Sequence, residues 1–85
     1  MELVFTKPFI KAYNSLPQRI RRLTDKQLEL LLSNPQYPSL QIKKMEDSRD
    51  IWEGRITKNY RFTFCIQGAT YILRKVGTHD ILKTP

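Results

Sequence analysis

Cysteine is almost missing from this chain. Cys65 stands alone, so no disulfide framework can hold the fold, and the expected setting is a reducing cytoplasm. Lying in an apolar strand-like run, Cys65 reads as a small buried hydrophobe. Histidine is as scarce, with His79 the single example. One histidine, one apolar cysteine and scattered carboxylates do not make a ligand set, so neither a metal site nor a cofactor is expected. No apolar run approaches the ~20 residues of a membrane span, and no signal-peptide pattern opens the chain. Repeats, low-complexity tracts and linkers are also lacking. Acid is in deficit: eight Asp and Glu face fifteen Lys and Arg, a net charge of +7.

That excess favours polyanionic partners such as nucleic acid or an acidic protein. The bland alternative is a basic surface with no dedicated partner. The cations are spread out. Arg19, Arg21 and Arg22 cluster early, and Lys43, Lys44, Arg49, Arg55, Lys58, Arg61, Arg74 and Lys75 run through the later half. Such spread fits a concave basic face better than a disordered tail. The 85 residues suffice for one domain spanning 1–85, with hydrophobic content of 40% arguing against disorder. A core this small is marginal.

Residues 2–5 predict a first strand. Thr6 can cap a helix beginning near Pro8, since proline loses no useful N–H in the first turn. That helix carries Phe9, Ile10, Ala12 and Tyr13 and ends before Pro17. A second helix runs from about Pro17 to Ser33, with Ile20, Leu23, Leu28 and Leu31 near helical spacing. Thr24 and Asp25 suggest a kink or a capped break, and Asn34-Pro35 stops the helix. Residues 40–46, 51–57, 60–67 and 70–77 read as strands, with a polar turn at Asp47-Ser48-Arg49-Asp50. Gln67-Gly68-Ala69-Thr70 reads as a tight hairpin, with glycine where a positive φ is wanted. The fold class is α+β: an N-terminal strand, two antiparallel helices, then a three- to four-stranded antiparallel meander with helices on one face.

The opposite face is expected to be open and to carry the charges. Alternation puts Tyr60, Phe62, Phe64 and Ile66 on one side and Arg61, Thr63 and Cys65 on the other. Glu53 and Arg55 join the second group from the preceding strand. Arg74 or Lys75 contributes according to register, because a one-residue slip exchanges them. Gly77-Thr78 then turns to present His79, the only side chain with an ordinary pKa near neutrality. Taken singly, Glu53 and Arg55 read as a surface ion pair, His79 as a capping residue, and Trp52 and Tyr60 as core. It is the combination on one face that points to phosphate chemistry.

Three segments carry a family resemblance: Trp52-Glu53-Gly54-Arg55-Ile56, Tyr60-Arg61-Phe62-Thr63-Phe64, and Leu73-Arg74-Lys75-Val76-Gly77-Thr78-His79-Asp80. With Pro38-Ser39-Leu40 and Lys43-Lys44 before them, they resemble the RelE/ParE superfamily of toxins from toxin–antitoxin pairs. The likeness extends over nearly the whole chain in length and element order and is specific in residues 50–81. It implies a microbial-ribonuclease-like sheet whose concave face cuts messenger RNA without metal, usually at the ribosome. Arg61 matches a phosphate-binding arginine, and Arg55 falls at or next to a basic position. His79 matches the Gly-Thr-His of the histidine-using, YafQ-like branch, where it acts as acid or base. Glu53 stands where members have lysine or glutamate. Many members end in a catalytic aromatic residue; here Ile81, Leu82, Lys83, Thr84 and Pro85 follow instead.

The expected chemistry is attack by the RNA's own 2′-hydroxyl on the adjacent phosphate. Glu53 or His79 is the base, His79 the favoured acid, and Arg55 and Arg61 clamp the charged centre. Lys43, Lys44, Lys58, Arg74 and Lys75 are candidates for binding RNA phosphate. The partners implied are messenger RNA, the ribosome and a cognate acidic antitoxin, with a toxin–antitoxin heterotetramer as one assembly open to the pair, and no membrane. The alternatives are a ParE-like toxin that inhibits DNA gyrase and a catalytically inactive RelE-fold binding protein.

Overall fold

The computed structural model describes residues 1–47 and 49–85. In order, the elements are β1 (Glu2–Phe5), α1 (Lys7–Asn14), α2 (Gln18–Ser33), a 3-10 turn (Pro38–Leu40), β2 (Lys43–Lys44), β3 (Trp52–Arg55), β4 (Tyr60–Gln67), β5 (Thr70–Thr78) and a second 3-10 turn (His79–Lys83). The strands form one five-stranded sheet in the order β1-β5-β4-β3-β2. The α+β class, element order and helix placement match the expectation. The sheet has one strand more than the meander and is mixed, because β1 lies parallel to β5, from Glu2↔Thr70 to Phe5↔Leu73. A parallel pair needs a long crossover between its strands, and the two helices belong to that connection.

Thr6 fixes where β1 ends and α1 begins. Its hydroxyl accepts the Phe9 N–H at 3.3 Å and donates to the Leu73 carbonyl at 2.9 Å, so the cap also ties the helix to β5. Along α2 the residues Ile20, Thr24, Gln27, Leu28 and Leu31 are buried at helical spacing. The helix runs without a break through Thr24 and Asp25. The Thr24 hydroxyl donates back to the Ile20 carbonyl at 2.7 Å, which satisfies the polar group inside the helix and leaves the helix unbroken. Tyr13 donates to Asp25 Oδ1 at 2.6 Å and holds α1 against α2. That bond, followed by burial, pushes the Tyr13 phenol upward in pKa.

The core lies between the helices and the sheet, around Phe9, Leu28, Leu31, Phe62, Phe64, Tyr71, Leu73 and Val76. Trp52 and Tyr60 pack against it. Gly54 is needed there because the Phe62 ring lies directly over it, and an added Cβ would come within 2.2 Å of Cζ. The expected strand 40–46 shrinks to two residues, since Leu40 belongs to the 3-10 turn and Gln41 has a left-handed φ of 44°. In the expected turn at 47–50, Ser48 lies outside the described residues. Beside it, the Arg49 guanidinium grips Asp47 through two bonds, at 2.8 and 2.9 Å, and draws its carboxyl down to about 2. The 67–70 hairpin is as expected, with Gly68 at φ 59°.

Candidate active site on the second sheet face

The charged face is built in rungs, because residues paired across strands point to the same side of a sheet. One rung aligns Arg55, Arg61 and Gly77. The next aligns Lys43, Glu53, Thr63 and Lys75. Between Lys75 and Leu73 the pairing skips Arg74, since Thr63 opposes Lys75 and Phe64 opposes Leu73. This β-bulge resolves the choice between Arg74 and Lys75: both reach the charged face. Arg74 shows it by donating from Nε to the Pro85 carbonyl at 3.3 Å, the same oxygen that accepts the Thr63 hydroxyl at 3.2 Å.

That contact corrects the expectation of an open face. The 3-10 turn His79–Lys83 and the residues after it fold back over β4 and β5. Ile81 sits on Gly77, where an added Cβ would come within 3.0 Å of its Cγ2, and Pro85 covers Thr63, which has no exposed surface. The small side chains of Gly77 and Thr63 leave a floor low enough for this segment to land on. Glu53 and Arg55, on the β3 side, remain partly exposed.

Arg55 and Arg61 stand directly opposite each other. Like charges in that position repel, and no carboxylate forms an ion pair with either among the described residues. Arg61 is anchored rather than loose. Its Nη1 donates to the Thr57 carbonyl, to the Lys58 carbonyl at 3.0 Å and to the Tyr60 carbonyl at 3.1 Å. Its Nε and Nη2 find no protein acceptor among the described residues, so the free side of the fork is available to an anion.

His79 comes to the same turn. Its Nε2 lies 3.1 Å from the Lys58 carbonyl. A carbonyl oxygen only accepts, so Nε2 carries a proton, and Nδ1 is the nitrogen left free to exchange one. The Lys58 carbonyl is thus shared by His79 and Arg61. Along β4, the arginine rung lies between the Glu53 rung and the end of the sheet where His79 stands. Adjacent rungs on one face are about 7 Å apart, so Glu53 and His79 flank the arginines instead of touching each other.

The other cations divide. Lys43 shares the Glu53 rung. Lys44 pairs with Trp52 and so lies on the opposite face, over the Trp52 ring at 5.9 Å and bonded to Asp50 at 3.1 Å. Lys58 is exposed at the β3–β4 turn. No group of His, Cys, Asp and Glu able to hold a metal ion occurs among the described residues. Sequence reasoning missed the Lys58 carbonyl, the covering segment and Gln27. Only Gln27 left a signal, as a polar residue on the apolar stripe of α2.

No protein-family model and no curated protein sequence matches this chain. Solved structures do. A chain of the RelB–RelE antitoxin–toxin complex from Methanococcus jannaschii aligns at 27% identity over 95% of this chain and 95% of its own, with a TM-score of 0.76. YafQ from E. coli strain BL21(DE3) aligns at 13% identity over 94% of both, with a TM-score of 0.78. A YoeB/ParE toxin from Agrobacterium tumefaciens aligns at 17% identity over 93% of this chain and 99% of its own, with a TM-score of 0.77. The element order, the sheet and the likeness across both full chains agree: this protein carries the fold of the RelE/ParE superfamily of toxins.

Proposed function

We propose that the protein is the toxin of a toxin–antitoxin pair and cuts messenger RNA through the RNA's own 2′-hydroxyl. The observation that carries this reading is the Arg55–Arg61 rung. Two arginines meet with no carboxylate paired to either among the described residues, flanked by Glu53 on one side and His79 on the other. A phosphodiester placed on that rung relieves the repulsion of the arginines and sits between a base and an acid. Glu53 takes the 2′-hydroxyl proton, and the 2′-oxygen attacks the phosphorus. Protonated His79 gives the proton on Nδ1 to the departing 5′-oxygen. Its Nε2–H stays on the Lys58 carbonyl throughout, which keeps the ring in place. Arg61, already anchored, and Arg55 opposite it stabilise the charge that gathers on the phosphorane. The products are a 2′,3′-cyclic phosphate and a 5′-hydroxyl.

Lys43, Lys75 and Arg74 add positive charge to the same face, and Lys58 to its rim. Lys44 is turned away and contributes only to the long-range field. The Methanococcus neighbour is a RelB–RelE antitoxin–toxin complex, which supports an antitoxin as the protein partner here. An apolar groove of about 340 Å³ between β1 and the helices, lined by Phe5, Phe9, Ile10, Tyr13 and Leu28, suits the hydrophobic side of such a partner. The purified protein, incubated with translating ribosomes and messenger RNA beside a gyrase supercoiling assay, tests the reading. Cut RNA with unimpaired gyrase supports it; intact RNA with inhibited gyrase replaces it by the ParE-like alternative.

A further inference from the structure

Beyond the end of β2 the edge of β3 has no strand partner among the described residues, and a cleft of about 350 Å³ opens there against α2. Gln27 lines it from the buried stripe of α2 and is only 6% exposed. Its Nε2 donates to the Arg55 carbonyl at 2.8 Å and to the Ser39 carbonyl at 3.3 Å. Both partners are acceptors, so the orientation of the amide is fixed. Oε1 is the atom left over, and no protein donor reaches it among the described residues. Among those residues no sealed side-chain nitrogen or oxygen lacks a partner. Oε1 therefore meets solvent in the cleft, as a rigidly held acceptor awaiting a donor.

We propose that this cleft is a nucleobase pocket. A base next to the phosphate held on the Arg55–Arg61 rung enters it, and Gln27 Oε1 accepts a hydrogen bond from the base's exocyclic amine. The choice of ligand rests on the RNA-cleaving reading above; the geometry of the pocket does not. Arg55 presents its carbonyl to Gln27 in the cleft and its side chain to the arginine rung on the other face, so the two sites meet across the β3 edge. Leu23 and Ile56 give apolar walls for the faces of a base, and exposed Lys26 stands by for a flanking phosphate. Proteins that read RNA take up splayed-out single bases and hydrogen-bond their edges in this way. The volume is near the small end of ligand pockets, about 300–1,000 Å³, and suits one nucleoside. Uracil fits poorly, since it has no amine and its one N–H lies between two carbonyl oxygens that would face Oε1.

Titration of the whole protein with mononucleotides, followed by NMR, tests the proposal. AMP should shift the Gln27 side-chain amide and the signals of Ile56 and Thr57. It should bind about tenfold more tightly than N6,N6-dimethyl-AMP, UMP or ribose 5-phosphate, the effect of one matched hydrogen bond. Gln27→Met should abolish that preference, and because the comparison among ligands uses the unaltered protein it stands even where this variant fails to fold. Equal binding of all four ligands, or shifts confined to Arg61 and Lys75, overturns the pocket. AMP bound in the cleft of a protein that leaves RNA intact upholds this inference and overturns the proposed activity. RNA cutting with no amine-dependent binding does the reverse.

Discussion

Arg61 has two tasks that pull on the same side chain. One nitrogen closes the β3–β4 turn through three carbonyls, and the rest of the fork faces the site. Arg61→Ala is therefore expected to lose activity and also to lower the melting temperature, since the carbonyls lose a charged donor worth about 1.5–3 kcal/mol. Arg61→Lys should retain more activity than alanine, though less than arginine, because an ammonium keeps the charge and loses the fork. Cleavage rates and thermal melts of the three proteins check this; equal rates would make Arg61 a structural residue only. His79 is different, being exposed and held by one bond. His79→Ala should fold normally and cut RNA roughly 10²–10⁴-fold more slowly, the range for one general acid or base. At this scale the candidate residues were legible in the sequence because strand alternation places Glu53, Arg55, Arg61 and Thr63 without further information. The face on which Lys44 lies was not legible, since the short β2 carries no alternation from which to read it. The shared Lys58 carbonyl was invisible, as any backbone group would be.

The elements show where local pattern stops being enough. β4 lies where its alternation puts it, at Tyr60–Gln67, and Thr6 begins α1 as a capping residue should. By contrast, nothing within Glu2–Phe5 says that it pairs with β5, a partner some 68 residues away along Glu2↔Thr70. The bulge at Arg74 is equally hidden, because it belongs to the fit between two strands and not to either. The covering segment has the same character: His79–Pro85 reads as a tail until Gly77 and Thr63 are seen to make a floor for it. Thr63→Val keeps the shape of that floor and removes the donor to the Pro85 carbonyl. It should cost about 1 kcal/mol of stability and speed amide exchange at residues 81–84, while exchange within β4 stays slow. Unchanged exchange at 81–84 would mean that Ile81 on Gly77 holds the segment by itself.

For the whole molecule, a charge of +7 on a small globule sets how partners arrive. RNA binding should weaken steeply with salt, since each phosphate neutralised releases counterions, and Arg61→Ala should flatten that slope by about one contact. An acidic antitoxin segment should likewise associate quickly at low salt and more slowly as salt rises, because opposite fields steer the encounter. Stopped-flow rates across a salt series measure this, and a rate indifferent to salt would contradict it. The central claim concerns chemistry, however, and the ends of the cut RNA report it most directly. Messenger RNA from translating ribosomes treated with the protein should carry 2′,3′-cyclic phosphate or 3′-phosphate upstream of each cut and 5′-hydroxyl downstream. A 2′-deoxy nucleotide placed before a mapped cut should block it. Fragments ending in 3′-hydroxyl, or continued cutting at the deoxy position, would contradict the 2′-hydroxyl mechanism and the roles given to Glu53 and His79.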